Sequence, residues 1–175
     1  MLQQKIKSVI RDVPNFPKEG VIFKDLTPLL ANPILCSEII EEMKNRLKTI
    51  EIDAVVGVES RGFLFGMMLA SALSVPFVPV RKKGKLPFKT IHQNYQLEYG
   101  SAALEIHLDA LKKDWKVLVH DDLLATGGTA FATAQLVNQL GANVSVFAFV
   151  IELSFLKGKE KLGIFTDKVI NIVQY

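Results

Sequence analysis

The sequence predicts an α/β fold: a doubly wound, mostly parallel sheet flanked by helices, with a short antiparallel excursion. Three observations carry that expectation. Residues 53–80 read strand, helix, strand, and residues 115–153 repeat the order. The strands in both units are apolar on both faces, as strands sandwiched between helix layers are. Between the two units lies a stretch of different character, broken by Gly100. Ligands of such sheets sit beyond the C-terminal ends of the strands.

The elements follow in order. Leu2, Ile6, Val9, Ile10 and Val13 have the spacing of a short amphipathic helix, closed off by Pro14 and Pro17. A loop is expected through NFPKEGVIFKDLTP. Asn32 before Pro33 is a capped helix start, and Leu35, Ile39, Ile40, Met43 and Leu47 put one apolar face on the helix behind it. DAVVGVE (53–59) is β-branched and extended, GFLFGMMLASAL (62–73) is helical in composition, and VPFVPV (75–80) is extended again. In YQLEYGSAALEIHLDAL (95–111) Gly100 separates two extended pieces, which predicts an antiparallel hairpin. WKVLVHDD (115–122) reads as a strand, TAFATAQLVNQLG (129–141) as a helix ended by Gly141, and NVSVFAFVIEL (143–153) as the next strand.

Composition narrows the function. At 175 residues, 49% of them apolar, the chain fits a single globular domain over residues 1–175. A net charge of +3, scattered among 18 acids, argues against a general nucleic-acid or membrane-surface binder, so any anion site must be local. The single cysteine, Cys36, makes an intrachain disulfide impossible and suits a buried thiol in a reducing compartment. MLQQKIKSVIRDV lacks the apolar stretch of a secretion signal, and no apolar run reaches the roughly 18 residues of a membrane span. A cytoplasmic protein is expected.

The chemistry concentrates in VLVHDDLLATGGTA (117–130), at the end of a strand and the start of a helix. Gly127 and Gly128 allow close backbone approach, so N–H groups between Ala125 and Thr129 can converge on one anion, aided by the helix dipole and the Thr126 and Thr129 hydroxyls. Neither GxxxxGK[ST] nor GxGxxG is present, which points to a phosphate monoester rather than a nucleoside triphosphate or dinucleotide. Asp121 and Asp122 would repel that anion unless hydroxyls or a cation lie between, and vicinal ribose hydroxyls are suitable donors to them. Together the two halves imply a sugar phosphate. The plainer reading is a turn capped by Asp122 in an ordinary strand-to-helix loop.

This string resembles the phosphoribosyl-pyrophosphate (PRPP) signature of the type I phosphoribosyltransferases, and DDLLATGGT resembles the adenine phosphoribosyltransferases among them. NFPKEGVIFKDLTPLL, GVESRGFLFG, VRKKGKLP, LEYGSAALEIHLDAL and SFLKGKEKL resemble further segments of the same family, in its order and over nearly the whole chain. His120 departs from the pattern, standing where the family usually carries a branched apolar residue. Strand alternation puts it beside Leu118, which suits packing.

The resemblance implies the fold of that family, with a base-binding segment over about residues 1–30 and a lid over about 84–108. It implies that Ala125, Thr126, Gly127, Gly128 and Thr129 hold the 5′-phosphate while Asp121 and Asp122 contact the ribose hydroxyls. Glu59, Ser60 and Arg61 match the pyrophosphate loop, with Arg61 a donor to the leaving group. Arg81 and Lys85, in the basic run RKKGKLPFK, match residues near the pyrophosphate reached across a dimer interface, which implies a homodimer. Alone, that run is a solvated loop or a nucleic-acid patch, and only Phe88 could serve as a stacking platform. Main-chain groups of Ile22 and Lys24 would read adenine, with Phe23 and Leu123 around the ring. Glu98 and Tyr99 match a mobile lid, Glu98 acting at N9 of the base and at the anomeric carbon. A 6-oxopurine enzyme would recognise its base with a lysine and an aromatic residue after a late strand, where this chain has VIELSF. The implied reaction joins adenine and PRPP into AMP and pyrophosphate, with Mg2+ bound mainly through PRPP and no direct protein ligand set. A non-catalytic sensor of PRPP or nucleotide is the rival from another class.

Overall fold

Parallel strands run up the middle of the molecule and leave their C-terminal ends together on one edge. The structure is a computed structural model that describes residues 1–96 and 101–175. The chain begins α1 (Leu2–Val9), β1 (Arg11–Pro14), β2 (Ile22–Asp25), α2 (Thr27–Leu30) and α3 (Pro33–Leu47). The first strand–helix–strand unit is β3 (Ala54–Val58), α4 (Gly62–Leu73) and β4 (Phe77–Lys82). Two antiparallel strands follow, β5 (Thr90–Gln96) and β6 (Ser101–His107). The second unit is β7 (Lys116–Leu124), α5 (Gly128–Gln139) and β8 (Asn143–Glu152), and α6 (Gly158–Leu162) and β9 (Val169–Gln174) complete the chain.

The main sheet has the order β5-β6-β4-β3-β7-β8-β9. Its last five strands are mutually parallel, and β6 and β5 extend one side antiparallel to β4. Strand alternation divides the core into two layers. Val55, Leu118 and Ala148 face the layer that holds Ile6, Leu35, Ile39, Met43 and Leu69 from α1, α3 and α4. Val56, Val119 and Phe147 face the opposite layer with Leu136 and Val137 of α5 and Ile106 of β6. The large apolar side chains of both layers are buried, and each contributes about 1.5–3 kcal/mol by burial.

The expected elements of both βαβ units form, shifted by one or two residues at their ends. Asn32 caps α3 as its position suggests, its side chain accepting from Leu35 N at 3.0 Å. The N-terminal region differs. Periodicity extends the first helix to Val13, whereas α1 stops at Val9 and residues 11–14 pair with 22–25 as a two-stranded antiparallel ribbon, Val13 opposite Phe23. The stretch expected as a loop therefore contains a strand. The hairpin after β4 begins earlier than expected, at Thr90. Glu98 and Tyr99 lie outside the described residues.

Candidate active site

The carboxyl end of β7 and the start of α5 build the centre of the site. Leu124 ends the strand, and Gly127 takes φ 79°, a left-handed turn open to glycine, so that α5 can begin at Gly128. Ala125 to Thr129 line a small cavity of about 70 Å³ with Asp121 and Leu123. Twelve residues of α5 direct their N-terminal partial positive charge at that loop. Thr133 fastens the first turn by donating to Thr129 O at 2.9 Å.

Asp121 and Asp122 stand just upstream, on opposite sides of the strand. Asp122 N donates to Asp121 Oδ1 at 2.8 Å. The Asp122 side chain is only 5% exposed, and its Oδ2 lies 2.9 Å from Arg61 Nε. Burial, and then the neighbouring charge of Asp122, pushes the Asp121 carboxyl well above the usual range. Burial also raises Asp122, against the pull of Arg61. Adjacent acids, of which Asp122 is buried and alone is paired with Arg61, favour holding a proton, and the charge of a divalent ion or the donors of a diol would relieve that tension.

Arg61 joins this pair to the N-terminal ribbon. It is the residue before α4, and its guanidinium carbon lies 5.2 Å from the centre of the Phe23 ring. The sequence separates Phe23, Arg61 and Asp122 by about forty and sixty residues, and the fold sets them in one contact chain.

A cavity of about 460 Å³ opens above, lined by Glu59, Ser60, Arg61, Lys82, Tyr95, Leu104, Asp121, Asp122, Leu123 and Thr129. The Glu59–Ser60 peptide on its rim is cis. Glu59 is an acceptor here: Arg81 donates to it at 2.9 and 3.2 Å, and Lys82 N at 3.0 Å. The Arg81 bond and the Lys82 amide hold the Glu59 carboxyl below its usual range despite burial. Arg81 also donates to Lys85 O at 2.9 Å. Arg81 thus ties the ESRG loop to the basic loop, and the cation of the basic run that lines the cavity is Lys82, beside Arg61. Nothing in the run RKKGK distinguishes Lys82 from its neighbours; the extension of β4 to Lys82 is what sets it on the cavity. Glu105 was also missed. It is a buried acid that accepts from Lys85 N at 2.8 Å and Leu86 N at 2.7 Å. The one signal for it is an acid between Leu104 and Ile106 in a strand whose other inner residues are apolar.

Of the residues assigned to the base, Phe23 and Leu123 approach this cavity from two elements, and Phe16 meets the Phe23 ring edge-on at 5.1 Å. The Lys24 side chain turns away to Asp12, at 2.6 Å, and to the Tyr175 ring. Its main chain is what remains for recognition. Ile22 and Lys24 line a larger apolar cavity on the other side of the ribbon, with Leu153, Phe155 and Tyr175. His120 is fully buried beside Gly66, with neither ring nitrogen hydrogen-bonded, so it packs as an apolar residue would. Burial lowers its pKa to about 4.

The chain is similar to known proteins over its whole length. Residues 25–171 match the phosphoribosyl transferase domain family. The chain is 45% identical to the adenine phosphoribosyltransferase of Cytophaga hutchinsonii, over all of this chain and 97% of the relative. Among solved structures, the adenine phosphoribosyltransferase of Thermoanaerobacter pseudethanolicus superimposes with a TM-score of 0.95 at 45% identity, covering both chains entirely. The Saccharomyces cerevisiae enzyme, solved with an imino-altritol bisphosphate and adenine, gives 0.90 at 43% identity over 98% of each chain. Identity of 45% over the entire chain, on a fold shared from end to end, places this chain in the adenine phosphoribosyltransferase family.

Proposed function

We propose that the protein transfers the 5-phosphoribosyl group of PRPP to N9 of adenine, giving AMP and pyrophosphate, and so salvages purine. The observation that carries this reading is that the Ala125–Thr129 cradle and the Asp121–Asp122 pair line two adjoining cavities that share Asp121, Leu123 and Thr129. Five backbone amides and two hydroxyls suit a 5′-phosphate, and the two acids just upstream suit the ribose 2- and 3-hydroxyls. The Ser60 and Arg61 end of the cavity, with Lys82 opposite, suits the departing pyrophosphate. Arg81 and Lys85 serve that end through the loop they hold together.

The ribbon supplies the base pocket. In an antiparallel ladder, alternate residues exchange hydrogen bonds with the partner while the others face outward. Pro14, opposite Ile22, has no N–H, so the outward set is Ile22 and Lys24. Their amides and carbonyls can complement the N6 donor and N1 acceptor of adenine, with Phe23 and Leu123 on the ring faces. Glu98 stabilises positive charge at the anomeric carbon and accepts the N9 proton, and Tyr99 belongs to the same lid. Tyr95 lining the cavity supports a role for this hairpin.

Magnesium fits as a companion of PRPP. The ion would be held mainly by the pyrophosphate and ribose oxygens of PRPP and by water, with the two carboxylates that line the cavity balancing its charge rather than forming a ligand set. When bound, it supplies charge neutralisation to the leaving group. Among the described residues no helix is long and apolar enough to cross a membrane, and we place the enzyme in the cytoplasm as a homodimer.

The test is to incubate the protein with PRPP and Mg2+ beside adenine, hypoxanthine or xanthine and follow pyrophosphate release. Turnover with adenine is expected. Turnover with hypoxanthine alone would overturn the base assignment, and none with any purine would favour a sensor. Asp122→Asn should raise the KM for PRPP strongly, whereas Glu98→Ala should lower kcat with smaller effect on KM.

A further inference from the structure

We infer that Gly158, in the segment SFLKGKEKL, is a positioning residue for the reaction: its bare Cα is the wall against which the 5′-phosphate loop is set. The inference rests on the reading of Ala125–Thr129 as the phosphate site.

Gly158 is buried and opens α6. A Cβ placed on it would overlap Ala125 O and come within 3.0 Å of both Gly127 N and Leu124 Cδ1. The contact is reciprocal, because a Cβ on Gly127 would meet Gly158 O at 2.8 Å. Two main chains from different parts of the sequence therefore touch with no side chain between them, at the peptide units that would grip phosphate. Gly127 needs to be glycine for its φ as well. Gly158 has no left-handed φ, so its identity is set by space alone.

The wall is anchored independently of the loop. Leu153 N donates to Leu124 O at 2.9 Å, Ser154 N to Tyr175 O at 2.9 Å, and Lys157 N to Ser154 O at 3.1 Å, which fixes the corner to β7 and to the end of β9. A methyl group at residue 158 cannot be absorbed by moving that corner alone. The peptides from Ala125 to Gly127 must shift, and their amides lose alignment on the anion. Alanine is also the better helix former, so the substitution does not weaken α6 by propensity. Gly163 offers a matched control: it closes the same helix, and a Cβ there meets only Glu160 O, at 3.4 Å.

The experiment compares Gly158→Ala, Gly163→Ala and Gly127→Ala with the unmodified enzyme. For Gly158→Ala the KM for PRPP and the Kd for AMP should each rise about tenfold, with kcat and the KM for adenine changing less than about threefold. Gly163→Ala should match the unmodified enzyme. A folded Gly158→Ala protein with unchanged KM for PRPP, or one matched in its defect by Gly163→Ala, overturns the inference. Should Gly158→Ala fail to fold, 15N-glycine labelling of the unmodified protein decides. AMP should shift the Gly158 amide resonance together with those of Gly127 and Gly128 and leave Gly163 in place, and an unmoved Gly158 overturns the inference. Gly127→Ala judges the underlying reading: if it leaves PRPP and AMP binding intact, the phosphate assignment itself falls. If it weakens them and Gly158→Ala does not, only the role of Gly158 falls.

Discussion

Asp121 pits stability against function within one side chain. Its carboxyl titrates higher in the folded chain than in the unfolded one, so folding favours its protonated form. The group costs nothing below its unfolded value of about 3.9, becomes destabilising as pH rises through the gap, and carries a constant penalty above its folded value. Asp121→Asn keeps an acceptor for Asp122 N and removes the charge. It should raise the melting temperature at pH 7 by about 2–4 °C, with little gain near pH 4, while the KM for PRPP climbs. Thermal melts at both pH values beside PRPP kinetics check this, and a lower melting temperature at pH 7 would contradict it. His120 has the opposite sign. Its folded pKa of about 4 lies below the ordinary 6.5, so stability present at neutral pH is lost as pH falls from 6.5 towards 4. The loss approaches about 3 kcal/mol at the lower end. His120→Val should flatten that acid limb in urea titrations and leave PRPP kinetics unchanged, since the ring faces the core.

Glu105 shows how one buried acid can organise an element. Burial opposes its charge, but amides at Leu86, Gly84 and Lys85 and the Thr90 hydroxyl outweigh burial and hold the carboxyl below its usual range. Glu105→Gln would set an NH2 group against those donors and should cost about 1–3 kcal/mol. Amide exchange at Lys85 and Leu86 should speed up, and the KM for pyrophosphate in the reverse reaction should rise. Equal protection in the variant would show that the loop holds itself. Legibility at this scale follows from the range of the forces involved. The βαβ units could be read because their apolar periods are local, and Asn32 because a cap acts over three residues. The β1–β2 ribbon could not, since Arg11–Pro14 carries too little apolar signal to compete with the helix before it, and only pairing with Ile22–Asp25 makes it a strand. β9 is likewise held by its neighbour β8. In the site, the phosphate loop and acidic pair are contiguous and visible. The Arg61 bridge, the Arg81–Glu59 tie and the Gly158 wall join distant segments, so no single stretch of sequence records them.

For the molecule as a whole, α4 raises the question of what covers it. Phe65, Gly66, Leu69 and Ala70 are buried against the sheet. Leu64, Met67 and Met68, spaced i, i+3 and i+4 on the other side, are 45%, 54% and 39% exposed. A helix that is apolar all round is a helix meant to be covered all round, and an exposed apolar stripe of this kind marks an interaction surface. A second copy of the chain is the partner that the homodimer reading supplies. The stripe shares its helix with Arg61, the residue before its first turn, so pairing there would bring another protomer beside the pyrophosphate end of the cavity. In that arrangement the partner's basic loop would lie beside α4, and activity would depend on assembly. Met67→Glu puts a charge in the middle of the stripe without touching the buried side of the helix. It should convert the protein from dimer to monomer in sedimentation velocity, with the melting transition still cooperative. Specific activity should fall at protein concentrations where the unmodified chain is paired, and recover in part as the variant is concentrated, because mass action restores the dimer. A variant that stays dimeric and fully active would place the interface elsewhere, and a monomer of full activity would mean that each site is complete within one chain.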